Sequence, residues 1–291
     1  MSFTFLKSRQ FNQALNIISL VALVAAAYFK ISETTISSFS LQFAGTYYIL
    51  LLLLLSPVTW GIEAQRLRSA LKIDMATAWK STLNGLLFRF MLASPGEVLG
   101  RQRYLPSEIK AKANVASWTT LKFSAGIVSA AFGICSLLII GINKYPFIAN
   151  NWWLLAIAGI LISAGIIIFI IRLDKSIFSL PIFLKISFMH TVRFILILFQ
   201  FVLAFKALGL SHSTFDIITG MSLVLFMRSI IPVFHWIGEV GVREISALYI
   251  FDATATEVIL ITTAVFIVWF SNNVLTSLCF WIYKNREVVW R

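Results

Sequence analysis

This chain is short of charge. Only 12% of its 291 residues are Asp, Glu, Lys or Arg, about half the share usual in soluble domains. With 59% hydrophobic residues and a mean hydropathy of +0.89, it has too few charges to cover a water-facing surface. That excludes a water-soluble enzyme, a secreted module and a disordered chain. Cysteine is scarce as well. Cys135 and Cys279 lie in apolar runs, with no C-x-x-C and no Cys/His spacing, so neither a disulfide framework nor a zinc site is supported. Both read as small buried hydrophobes. The Walker lysine loop, H-E-x-x-H and G-x-S-x-G are missing, and no loop is long enough to fold as a soluble catalytic domain. The chain therefore reads as a non-enzyme with no cofactor and no metal.

What it does have is long apolar runs. Counting runs of ~17 residues or more predicts an all-α polytopic membrane protein with six full spans, at about 13–29, 40–61, 115–142, 152–171, 181–208 and 257–283. The 26 Phe and 9 Trp suit lipid contact and interfacial belts. Lys7 and Arg9 before a run ending Ala25-Ala26-Ala27 partly resemble a signal peptide, but an uncleaved first span is the simpler reading. Segment 62–80, with Arg66, Arg68 and Lys72 set against Ile62, Leu67, Leu71 and Met75, has the pattern of a helix lying on the inner leaflet.

Two further apolar segments are broken. Ala76 to Leu105 is interrupted by Asn84, Gly85, Arg89 and Ser94-Pro95-Gly96-Glu97. Asp216 to Phe251 is interrupted by Arg228, Pro232, His235 and Gly238-Glu239. Their ~10–15-residue apolar arms are short for a crossing and suit re-entrant half-helices.

The net charge of +12 reads as topology, since no basic-aromatic stripe points to nucleic acid. With the N-terminus inside and six alternating spans, fifteen basic loop residues, Arg66 and Arg101 among them, fall on the cytoplasmic side. Three, Lys30, Lys144 and Lys206, fall outside. The positive-inside rule then places both termini in the cytoplasm of a plasma (inner) membrane protein. One broken segment enters from inside and the other from outside. The chain becomes a single membrane domain, 1–291, of two inverted halves, about 1–145 and 146–291, a plan common among transporters. Gly96-Glu97-Val98-Leu99-Gly100-Arg101 recurs 142 residues later as Gly238-Glu239-Val240-Gly241-Val242-Arg243.

Irregular backbone at membrane depth survives only inside protein or along a wet cavity, and helix N-termini opening into such a cavity attract anions. Arg89, Arg101, Arg228 and Arg243 border the two breaks. Arginine forks match phosphate and carboxylate, and an intramembrane charge is a functional candidate. Glu97, Glu239 and Glu244 are their candidate partners. Glu97–Arg101 and Glu239–Arg243 could equally be i,i+4 pairs that stabilise short helices. Arg193, near the middle of span 181–208, shares a helix face with His190, and Glu63 is a possible partner for it. Asn272 and Asn273, in the last span, suit interhelical hydrogen bonds.

These motifs resemble those of the lysylphosphatidylglycerol synthase transmembrane-region family, flippase-like integral membrane proteins of bacteria and archaea. Ser94-Pro95-Gly96-Glu97-Val98-Leu99-Gly100-Arg101 is similar to its P-x-x-x-G-E-x-x-G-R region, compressed here after Pro95. Pro232 to Gly238, with Gly241, Val242, Arg243 and Glu244, is similar to its second motif, and Trp60 with Glu63 to its second-span signature. The resemblance implies a lipid flippase or transporter without the soluble synthase domain. It would hold an anionic or zwitterionic headgroup, of a phospholipid or a polyprenyl-phosphate-linked lipid, between the two breaks. The alternative is a non-transporting accessory or scaffold protein that docks a membrane or cytoplasmic transferase.

The topology is testable. Single cysteines at Ser107 and Asn150, in a background lacking Cys135 and Cys279, are expected to label from opposite faces of the membrane. Labelling of both from one face would reject the orientation and the inverted halves with it.

Overall fold

The computed structural model describes residues 44–144, 179–231 and 236–289, and all regular structure among them is helical. The expected spans at 13–29 and 152–171 lie outside these residues. The other four fall on helices long and apolar enough to cross a membrane: Thr46–Leu71, Ala111–Ile140, Leu180–Ala207 and Glu257–Tyr283.

Helix α1 (Thr46–Leu71) ends at Lys72, whose left-handed φ of 54° returns its N–H to the Arg68 carbonyl. Asp74 then caps the next helix, its Oδ1 accepting from the Thr77 N–H at 2.9 Å. Segment 62–80 is thus not a surface helix. It is the end of α1, a turn, and the start of α2, because the buried Arg66 and Leu67 bind it into the core.

Helix α2 (Met75–Gln102) is helical throughout but folds back on itself. A straight helix would hold Ser81 and Arg101 ~30 Å apart. Instead Ser81 Oγ donates to the Arg101 carbonyl at 2.8 Å, and Asn84 Nδ2 to that of Gly100 at 2.7 Å. The cross-arm contacts place the reversal between Phe88 and Glu97, a stretch that holds Pro95 and Gly96, which remove a backbone donor and widen the allowed dihedrals. The first broken segment is therefore a helical hairpin. Its arms touch through Gly85 and Gly100. A Cβ on Gly100 would lie 2.5 Å from the Asn84 carbonyl oxygen and 2.9 Å from Gly85 Cα.

Helices α3 (Ala111–Lys144) and α4 (Leu180–Ala207) follow. The second broken segment is also a hairpin, with arms α5 (Thr214–Ile230) and α6 (Trp236–Ile250). The Phe251 ring, just beyond α6, lies so near Gly220 of α5 that a Cβ there would meet it at 2.5 Å. Pro232 and His235, between the two arms in sequence, lie outside the described residues. The last span is α7 (Ala255–Trp269), a π-helical turn (Phe270–Leu275) and α8 (Thr276–Val289).

The contacts give the directions. Gln200 reaches the Leu52 carbonyl, Arg193 that of Thr59, and the Ile186 carbonyl takes Arg66, so α1 and α4 are antiparallel. Phe123 meets Phe183 and Phe132 meets Phe194, so α3 and α4 are parallel. The α2 hairpin leaves and returns at the end where Leu71, Leu105 and Ile186 share a cluster. The α5–α6 hairpin leaves and returns at the other end, where Leu210 and Ala253 pack with Phe205. Each helix–hairpin–helix unit follows the same element order, and the two hairpins enter from opposite ends.

Two expectations need correction. Arg66 and Arg101 are each 1% exposed inside the bundle, not in loops, because both are ion-paired there. Cys135 and Cys279 are exposed on the outer surface, where a lipid-facing helix side accepts a small apolar residue as readily as the core does.

Gly100→Ala is expected to lower the thermal midpoint of the purified protein by a few degrees, as overpacking costs about 1–3 kcal/mol. An unchanged midpoint would mean that the hairpin arms do not touch.

Candidate functional site: a buried charge cluster between two hairpins

Glu63 lies on the inward face of α1 with its side chain 10% exposed. Its Oε2 accepts from Arg66 Nη1 at 2.5 Å and lies 3.6 Å from Arg193 Nη1 on α4. Its Oε1 is 3.8 Å from Arg101 Nη2 on α2. One carboxylate therefore joins three elements. Arg66 extends the tie, donating through Nη2 to the Leu121 carbonyl at 2.8 Å and Ser124 Oγ at 2.7 Å on α3, and through Nε to the Ile186 carbonyl at 3.3 Å. These contacts make Arg66 a structural residue.

Glu97, on the returning arm of α2, accepts from Arg101 Nη2 at 2.5 Å and pairs with Lys122 Nζ of α3 at 2.9 Å. The local i,i+4 pair is thus formed, and Arg101 carries it on to Glu63. Arg193 donates Nε to the Thr59 carbonyl at 3.2 Å and lies 5.1 Å from the centre of the Trp60 ring. His190, one turn away, is 6% exposed and within electrostatic reach of Arg66, Arg193 and Glu63.

The hairpin tips bring the remaining candidates in. Arg228, near the end of α5, feels the charges of Arg89, Arg193, Arg243 and Glu97. Arg243, on α6, is 7% exposed, lies 5.9 Å over the Trp269 ring and feels Arg89 and Glu244. Glu244 is half-buried. Glu239 lies on α6, with its side chain outside the described residues. Among the described side chains, seven cations (Arg66, Arg89, Arg101, Lys122, Arg193, Arg228 and Arg243) meet three carboxylates (Glu63, Glu97 and Glu244). A cluster with that surplus suits an anion and repels a cation. No three His, Cys, Asp or Glu among the described residues could hold a metal ion.

Next to Arg193 runs a polar belt. Thr59 Oγ1 donates to Asn272 Oδ1 at 2.8 Å, Trp60 Nε1 to the Asn272 carbonyl at 2.5 Å, and Asn272 Nδ2 to Gln200 Oε1 at 2.8 Å. Asn272 is the interhelical bridge its position suggests. Asn273 instead bonds within its own helix, to the Trp269 carbonyl at 2.9 Å. The π-helical turn carries Asn272, and such turns often mark functional positions.

Reading the sequence missed Lys122 and misplaced Arg66. Both had a signal. Lys122 interrupts an apolar run, which is itself a mark of function or pairing. Arg66 follows Glu63 by three residues, a helical pairing distance.

The architecture defines a class, a helical membrane protein with a cationic interior between two hairpins. Comparison with protein-family models, with curated proteins and with solved structures finds no significant match.

Glu63→Gln is expected to destabilise the protein by about 3–5 kcal/mol, because it leaves buried arginines without their shared counter-charge. Reduced abundance and a lower thermal midpoint in detergent would register the loss. Wild-type values would show that the three arginines do not depend on this carboxylate.

Proposed function

We propose that this chain is an inverted-repeat lipid flippase or transporter of the plasma membrane. It takes an anionic or zwitterionic headgroup into the space between two re-entrant hairpins and passes it between leaflets. The observation that carries this reading is that Arg89 on the first hairpin, Arg228 and Arg243 on the second and Arg193 on α4 lie within electrostatic reach of one another, between hairpins that enter from opposite ends. Hairpins that stop part-way across need a protein-lined or wet interior. Arginines there favour phosphate, which they can bind bidentately. The opposed entry of the two hairpins supports the inverted repeat, and hinged units of that kind can expose one site to either side in turn. The resemblance to the lysylphosphatidylglycerol synthase transmembrane-region family points the same way.

Arg193 is the residue to test, since it links the cluster to α1 through Glu63, Thr59 and Trp60. In proteoliposomes holding fluorescent phosphatidylglycerol, the wild-type protein is expected to expose inner-leaflet lipid to an external quencher. Arg193→Gln is expected to lose most of that activity while its abundance holds, because removing a charge from mid-membrane does not hinder insertion. Lipid that binds the wild type without moving would favour the accessory-protein reading. Full movement by Arg193→Gln would remove this residue from the site.

A further inference from the structure

One face of α3 runs past both hairpins. Lys122 pairs with Glu97 near the tip of the α2 hairpin at 2.9 Å. Seven residues on, Ser129 Oγ accepts from Ser229 Oγ near the tip of the other hairpin at 3.0 Å. Gly133 lies so close to Phe226 that a Cβ there would fall 2.2 Å from its Cβ. Lys122, Gly126, Ser129 and Gly133 follow helical spacing along this face, so Gly126 lies between the two hairpin contacts. There the packing stops. A Cβ built on Gly126 meets no atom of the described residues within 4 Å, although the residue is only partly exposed. The contacts at Lys122 and Ser129 are ~10 Å apart along the helix, room enough for a phosphate-sized group.

Lys122 borders this recess. Its side chain is 43% exposed, it lies 5.9 Å from the centre of the Trp118 ring, and it is within electrostatic reach of Arg89 and Arg101. Trp118 Nε1 is buried without a hydrogen-bond partner. An accessible lysine within a spanning helix costs about 2.5–3.5 kcal/mol on insertion scales. Among the described residues the one carboxylate partner of Lys122 is Glu97, which also serves Arg101, and its other charged neighbours are arginines.

We propose that the recess over Gly126 receives the phosphate-bearing group of the ligand, with Lys122 as a cationic binding residue at its edge. An entering anion would take over Lys122 from Glu97, leaving Glu97 to Arg101. This inference rests on the anion-binding reading above and adds to it a location, a further residue and a steric test.

Because no described residue packs over Gly126, Gly126→Leu fills the recess without disturbing the described core, and replacing a mid-helix glycine favours the helix. The probes are short-chain dihexanoyl phosphatidylglycerol and glycerol 3-phosphate, titrated calorimetrically onto the purified full chain in detergent. Gly126→Leu is expected to weaken binding at least about tenfold at an unchanged thermal midpoint. Lys122→Gln is expected to weaken it about tenfold, the worth of one charged hydrogen bond, and Lys122→Arg to retain most of it. Loss with both probes would place the phosphate itself in the recess. Loss with the lipid alone would place the headgroup there with its chains contributing. If Arg193→Gln weakens binding while Gly126→Leu and Lys122→Gln bind like wild type, the recess is overturned and the arginine cluster stands. If wild type binds neither probe, both readings fall. Should Gly126→Leu not fold, the contrast between Lys122→Gln and Lys122→Arg decides.

Discussion

The interior of this protein depends on one buried carboxylate. Glu63 holds Arg66 on its own helix, Arg101 on the first hairpin and Arg193 on α4. A lone charge at this depth would cost several kcal/mol, and a buried ion pair stabilises only when its remaining donors and acceptors are met. Arg66 meets that condition through two carbonyls and a hydroxyl. The result orients three elements around a point, more than it adds net stability.

The hairpins add the second constraint. Each turns back on itself, so its two arms must be held together by contacts between them or with neighbouring helices. The first hairpin closes by packing glycine against backbone, with Ser81 and Asn84 bonding across the arms. The second leans on α3 through Ser229 and Phe226. Between these two supports a Cβ on Gly126 of α3 would meet no atom of the described residues within 4 Å. Tight glycine contacts and an open glycine thus alternate along the same structure.

The polar belt ties this site to the last span. Asn272 bonds α1 through Thr59 and Trp60 and α4 through Gln200, and Trp60 also faces Arg193. The site and the π-helical turn therefore share a residue.

The sequence alone determined the helical class, four of the spans and the two broken segments, because these follow from local chemistry. Apolar length sets a crossing, while proline and glycine set a break. It also singled out Arg193 with Glu63, since a charge within an apolar run must find a partner. Only the tertiary structure decided which charges meet. Glu97 stands by Arg101 in sequence but takes Lys122 as well. Arg66 reads as a loop residue by count, yet is among the most buried side chains. Charge pairing and open space both depend on how helices distant in sequence face one another, and no local pattern encodes that. The gap over Gly126 is the clearest case: a glycine in an apolar run reads like any other until its neighbours are in place.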